Sequence, residues 1–183
     1  MDFIEKYKSA TPEARVDIIL DYYQNFPAII EGQQKVLIRR LKNERDYIRQ
    51  KQKVELGIRI QDFKLSDPTA REAIEMVGIE KAVMSGEGME DLFSEMNQVE
   101  TDLFCRNFYV LRKMKEEYEL INNSLMLLSN WDRNTFKLYV ENNCDIHQLA
   151  AIEGIQEESA GKRIWRLRKR IKDETVGSMI EDL

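Results

Sequence analysis

Apolar positions along this 183-residue chain recur in steps of three and four, and no stretch alternates with the period of two that marks a strand. The expected fold class is therefore all-α. Thr11-Pro12-Glu13 is a start signal: a capping side chain, a proline suited to the first helical position, and an acid at the positive helix end. Ile18, Ile19, Tyr22 and Tyr23 continue as a stripe that Asn25-Phe26-Pro27 should end, because the residue before a proline avoids the helical region. A long helix is expected over 28–60, with Leu37, Leu41, Ile48 and Ile58 in near-heptad steps and Glu44, Lys51 and Glu55 interrupting them. Ser66-Asp67-Pro68-Thr69 marks an internal boundary and the start of a helix over 69–84, and Gly86-Glu87-Gly88 reads as a turn. A second long helix is expected over 89–128. Its later half holds Leu111, Met114, Tyr118, Ile121, Leu125 and Leu128, the spacing of a coiled-coil seam. The two long helices could pair as an antiparallel hairpin or each with a second subunit. The seam stops near Ser129. Three short helices should follow, over 131–141, 146–153 and 157–173, before a frayed tail over 174–183. The organisation expected is an N-terminal helical segment (1–27), a long-helix hairpin or oligomerisation region (28–128), a C-terminal helical domain (129–173) and a flexible tail (174–183).

Composition supports long, solvated helices: 33% of residues are charged, with only 8 Gly and 3 Pro to break the chain. Cys105 and Cys144 form no zinc spacing and imply no disulfide framework, so both read as buried or half-buried thiols of a reducing cytoplasm. The N-terminus lacks the apolar core of a signal peptide, and no apolar run is long enough to span a bilayer. The formal net charge of -5 excludes a chain coated in basic charge, but not a local basic patch.

Such a patch lies in DIHQLAAIEGIQEESAGKRIWRLRKRIK, residues 145–172. Asp145 suits a helix cap, Leu149 a core position, small Ala150 a close helix approach, and Gly154 the positive-φ residue that ends the helix. Ile155 is expected to plug the turn, and Glu157 and Glu158 to sit at the positive end of the next helix. Ala160, Ile164, Leu167 and Ile171 then mark an inner face. The opposite face carries Glu158, Lys162, Trp165, Arg166 and Lys169, with Ser159 and Arg163 at one margin and Arg170 and Lys172 further along. Residues 156–172 hold seven bases and two acids, so the acidity of the chain lies elsewhere. One basic helix on an acidic body is the footprint expected of a protein that meets phosphates. The candidate DNA-binding residues are therefore Glu158, Ser159, Lys162, Arg163, Trp165, Arg166, Lys169, Arg170 and Lys172.

Residues 125–172 resemble the C-terminal promoter-reading domain of bacterial sigma factors, and are still more similar to the sigma-like helix-turn-helix of phage regulators of the ArpU and RinA type. The resemblance rests on Leu127, Leu128, Arg133, Phe136 and Tyr139 in the entry helix, and on Leu149, Ala150, Gly154 and Ile155 at the turn. Glu153 and Arg163 stand where that pattern has apolar residues, and Gly161 falls inside the second helix. The resemblance implies a phage- or prophage-encoded, sequence-specific regulator of transcription. Its partners would be double-stranded DNA, RNA polymerase and, through the long helices, further copies of itself. Two alternatives share these features: a small terminase subunit recognising packaging DNA, and a sigma-like factor acting only with polymerase. No membrane partner and no cofactor are expected. An enzyme is not expected either: the single histidine, His147, reads as a capping or surface residue, and no catalytic constellation or phosphate loop stands out.

Overall fold

The computed structural model describes residues 3–55, 68–94, 96–141 and 144–181. Among these the chain is all-helical, with no strand. The helices are α1 (Phe3–Ser9), α2 (Pro12–Asp21), α3 (Phe26–Glu55), α4 (Pro68–Ser85), α5 (Met89–Phe93), α6 (Gln98–Met126), α7 (Asn130–Glu141), α8 (Ile146–Glu153) and α9 (Glu157–Glu181). The chain divides into two compact units. The first joins Met1–Ile30 to Arg112–Leu183, and the second is Glu31–Leu111.

Unit 1 closes around α1, α2, the C-terminal part of α6, and α7 to α9. Thr11 caps α2 as its sequence demands, its hydroxyl accepting from the Ala14 N–H at 3.3 Å, with Pro12 in the first turn. Val16, Ile19 and Leu20 point inward, and α2 packs on α9. Phe3, Tyr7 and Phe26 pack as one aromatic group, and Tyr118 stacks on Phe26 at 5.8 Å between ring centroids. Beside them lies Glu117, a carboxylate removed from water. It is satisfied by the Tyr7 hydroxyl and by Arg15, whose Nη2 stands 2.9 Å from Oε1. Burial, and the negative charge of Glu117, push the Tyr7 phenol far above its ordinary range, so Tyr7 stays a donor. A buried carboxylate with two donors costs little, whereas one stripped of them is strongly destabilising.

Unit 2 holds a core of Leu37, Ile38, Leu41, Ile79, Ala82, Val83, Leu92 and Phe104. Glu75 receives two guanidiniums, with Arg49 Nη1 at 2.9 Å and Arg45 Nε at 3.4 Å. The expected turn at Gly86–Gly88 is present, both glycines having φ of +78°.

The structure corrects several expectations. The first stripe ends at Asp21, and Phe26-Pro27 opens α3 instead of closing α2, because proline lacks only an N–H that a first turn leaves unbonded anyway. The second long helix is two helices: α5 stops at Phe93, and α6 restarts at Gln98 because the Asn97 side chain caps the Glu100 N–H at 3.0 Å. Residues 174–181 are not a frayed tail. The inner face of α9 continues through Thr175 and Met179, both buried, and the Thr175 hydroxyl meets that of Ser124 at 3.0 Å. Cys105 is exposed, and Cys144 alone is buried. Ser66, Asp67, Ile58 and the last two residues lie outside the described residues. The seam on α6 is packed as its spacing requires: Leu111, Met114, Ile121 and Leu125 are buried, as is Leu128 beyond its end. Among the described residues no helix is long and apolar enough to cross a membrane.

Candidate nucleic-acid interface

The patch that stood out in the sequence folds as two helices about a tight turn. Asp145 caps α8 by accepting from the Gln148 N–H at 2.7 Å, and Gln148 returns the bond to the Asp145 N–H at 3.1 Å. This reciprocal box satisfies two orphan donors of the helix start. Gly154 ends α8 at φ +66°, and the Ile155 N–H bonds back to the Ala150 carbonyl at 3.0 Å. Only glycine reaches that region without strain. Leu149 and Ala150 face the core, as do Ala160, Ile164, Leu167 and Ile171 of α9. Ile155 does not plug the turn; its side chain is exposed. Upstream, Arg133 anchors the corner between α6 and α7, its guanidinium donating to the carbonyls of Leu125, Met126 and Leu128. The Leu125 and Met126 carbonyls belong to the last turn of α6, where carbonyls lack partners within the helix.

The bases of α9 fall into two sets. One flank turns Arg163 inward. Its Nη2 meets Asp132 of α7 at 2.8 Å, its Nη1 meets Glu153 of α8 at 3.0 Å, and its Cζ lies 3.1 Å from the ring centroid of Trp131. Glu153 also accepts from the Thr135 hydroxyl. Arg163 and the Ser129 hydroxyl hold the Asp132 carboxyl below its usual range. Glu153 and Arg163, polar where the sigma-like pattern would have apolar residues, thus answer each other. The opposite flank faces α2, where Arg168 Nη2 meets Asp21 at 2.7 Å and Lys172 Nζ meets Asp17 at 2.5 Å.

Between these flanks runs an outward strip. Glu158, Ser159, Lys162, Trp165, Arg166, Lys169 and Arg170 are all exposed. Lys162 leans on Glu158 one turn earlier, at 2.6 Å. The Lys169 ammonium sits 5.6 Å from the Trp165 ring centroid. Arg166 forms no ion pair among the described residues. The strip is therefore cationic at its middle, with a large aromatic side chain 63% exposed to water. Of the nine residues singled out from sequence, the structure brings seven together on this strip, and turns Arg163 and Lys172 into contacts within the fold.

Three features escaped the sequence reading. Asp17 and Asp21 reach α9 across about 150 positions of chain, a distance no local spacing reveals. Trp131 is 65% exposed and serves as a platform for Arg163. His147, on the first turn of α8, meets Glu157, on the first turn of α9, at 2.5 Å. Among the described residues no group of three or more His, Cys, Asp or Glu side chains is placed to hold a metal ion. Neither a protein-family model, nor a curated protein, nor a solved structure matches this chain.

Proposed function

We propose that the chain is a sequence-specific, double-stranded DNA-binding regulator of transcription, with α8 and α9 as its helix-turn-helix and α9 as the helix that enters the major groove. The observation that carries this reading is the sorting of the bases on α9. Those at the flanks are consumed by acids of neighbouring helices, while Lys162, Arg166, Lys169 and Arg170 point outward, only Lys162 paired, with Glu158 of the same strip. Lys162 and Arg166 lie near the middle of the strip, where a groove-bound helix meets base edges. Lys169 and Arg170 lie further along, where phosphates pass. The glycine turn and the capping box hold the two helices at a fixed angle, which base reading requires. The resemblance to sigma-like phage regulators points the same way. With it come a phage or prophage origin, a cytoplasmic location, and RNA polymerase or a second copy as further partners.

The test is a titration of the full chain with a randomised duplex pool, followed by binding of the selected and scrambled duplexes at several salt concentrations. The selected duplex should bind on the order of 10³-fold or more tightly than the scrambled one. With two to four phosphates neutralised per copy, log affinity should fall against log salt with a slope of roughly -2 to -4. Equal affinity for both duplexes would overturn sequence reading. A single enriched genomic site beside packaging genes would instead favour a small terminase subunit.

A further inference from the structure

Residues 35–53, within α3, hold eight bases and two acids. The fold sorts these bases as it sorts those of α9. Arg45 and Arg49 turn to Glu75 of α4, and Lys35 meets Glu31 one turn earlier at 2.6 Å. Arg39, Arg40, Asn43, Tyr47, Gln50 and Lys51 are instead all exposed. At 100° per residue they share one arc of about 120° on the outer side of the helix.

No exposed acid of α3 interrupts this strip. Glu44 and Asp46 lie at its two margins and are half-buried. Glu44 lies beside Glu100 of α6, and burial, with that second carboxylate next to it, holds its carboxyl above the ordinary range. Lys51 borders a hollow that both glutamates line, so part of its charge is answered there. Arg39 and Arg40 form no ion pair or hydrogen bond among the described residues. These two guanidiniums carry the charge of the strip.

That face suits a polyanion. Arginine forks match phosphate oxygens, and the Asn43 and Gln50 amides and the Tyr47 hydroxyl are donors of the kind that bond the same oxygens. From Arg39 to Lys51 the strip runs about 18 Å along the helix axis. Duplex DNA carries on the order of ten phosphate charges over that length. A stable protein interface needs an apolar centre, and Tyr47 alone does not make one.

We propose that the outer strip of α3 is a second nucleic-acid contact, in which Arg39 and Arg40 clamp phosphates of double-stranded DNA without reading its sequence. The choice of DNA as the polyanion rests on the reading of α9. The strip belongs to the other unit of the chain and shares no residue with the helix-turn-helix. Its contribution is affinity common to all sequences, since phosphate contacts position a protein and base contacts specify.

The experiment compares the full chain with R39Q/R40Q and R39K/R40K on a duplex that extends well past the selected site on both sides, and on a scrambled duplex of equal length. R39Q/R40Q should lower affinity for both by the same factor, on the order of tenfold. The slope of log affinity against log salt should become shallower by roughly 1.8, the value of two phosphates. R39K/R40K keeps the charge and should keep the slope. Both variants should melt as the parent does, because neither arginine is bonded within the fold. If R39Q/R40Q melts normally and keeps the parent's affinity and slope, this proposal is overturned and the DNA-binding reading survives. The same holds if it loses only the selected duplex, which would make the strip a reader of bases. A variant that changes sedimentation but not the salt slope would also overturn it, in favour of a contact with a second copy. If the parent binds neither duplex, both readings fall.

Discussion

On the flanks of α9, Arg163, Arg168 and Lys172 each close on an acid carried by another helix. On the outer strip, Lys162, Arg166, Lys169 and Arg170 reach into solvent. All seven are bases of one helix, separated by one to three residues. What distinguishes them is the direction set by 100° of rotation per residue, and what the fold places in that direction. α7 and α8 bring Asp132 and Glu153 to one flank, and α2 brings Asp17 and Asp21 to the other. A count of basic residues therefore overstates what α9 can offer a polyanion. The flank bases are answered by other helices and Lys162 by Glu158 of its own helix; Arg166, Lys169 and Arg170 have charge to spare.

Removing α1 and α2 should break this comparison most severely. Residues 112–183 alone would expose the surface that Val16, Ile19 and Leu20 cover, and would strip Glu117 of Tyr7 and Arg15. Burial of each such apolar side chain is worth about 1.5–3 kcal/mol. The three together reach the range of an ordinary domain's whole stability, about 5–15 kcal/mol. The fragment should show no cooperative melt by circular dichroism, even though it contains all of α8 and α9. A sharp transition in the fragment would show that the N-terminal helices are dispensable.

Arg163→Ala comes next. Glu153 and Asp132 would lose their partner, and Trp131 the cation on its face, at an expected cost of about 3 kcal/mol. Below its melting temperature the variant should bind duplex much as the parent does. A normal melting curve with lost DNA binding would move Arg163 from the flank set to the strip set.

Arg166→Ala tests the strip itself. The expected loss is about 1–3 kcal/mol on the selected duplex and less on a scrambled one, with the melting curve unchanged. Gly154→Val probes the turn at a similar magnitude. A Cβ there meets nothing within 4 Å, so the cost, about 1–3 kcal/mol, should come from the backbone alone at φ +66°. Gly154→Ala should cost less than Gly154→Val, because a β-branched side chain also crowds its own backbone at positive φ; an unchanged melting curve in both would show that the turn does not need glycine.

The smallest effect is expected from Lys172→Ala. Its partner Asp17 is 45% exposed, and such pairs are worth about 0–1 kcal/mol. DNA affinity and salt slope should hardly change. A drop in slope of about one unit would mean that Lys172 leaves Asp17 for a phosphate in the complex.

Local signals read well from this sequence and distant ones did not. Thr11, Asp145 and Gly154 could be placed because a cap or a positive-φ turn needs a particular side chain at a particular step. The inner face of α9 could be followed while its positions were Ile, Leu or Ala. It was lost at Thr175, because a buried threonine does not look apolar, and so the helix was ended near Asp173, short of Glu181. The break between α5 and α6 was missed because Asn97 caps within a run that otherwise reads as helical. The inward turn of Arg163 follows from Glu153, ten positions earlier, and from Asp132 on a separate helix. A pattern of single positions carries no record of such a pairing.

The division of the chain has a consequence for biosynthesis. Residues 31–111 form an uninterrupted unit and can assemble as soon as they leave the ribosome, whereas residues 1–30 must wait for 112–183 before their own unit can close. Domains complete in order of synthesis, and contacts between distant segments form slowly because the loop between them must first be ordered. Asp17 and Asp21 can meet Lys172 and Arg168 only once α9 has been made. A nascent chain arrested before α9 emerges should thus protect its middle from protease while its first thirty residues are still cut.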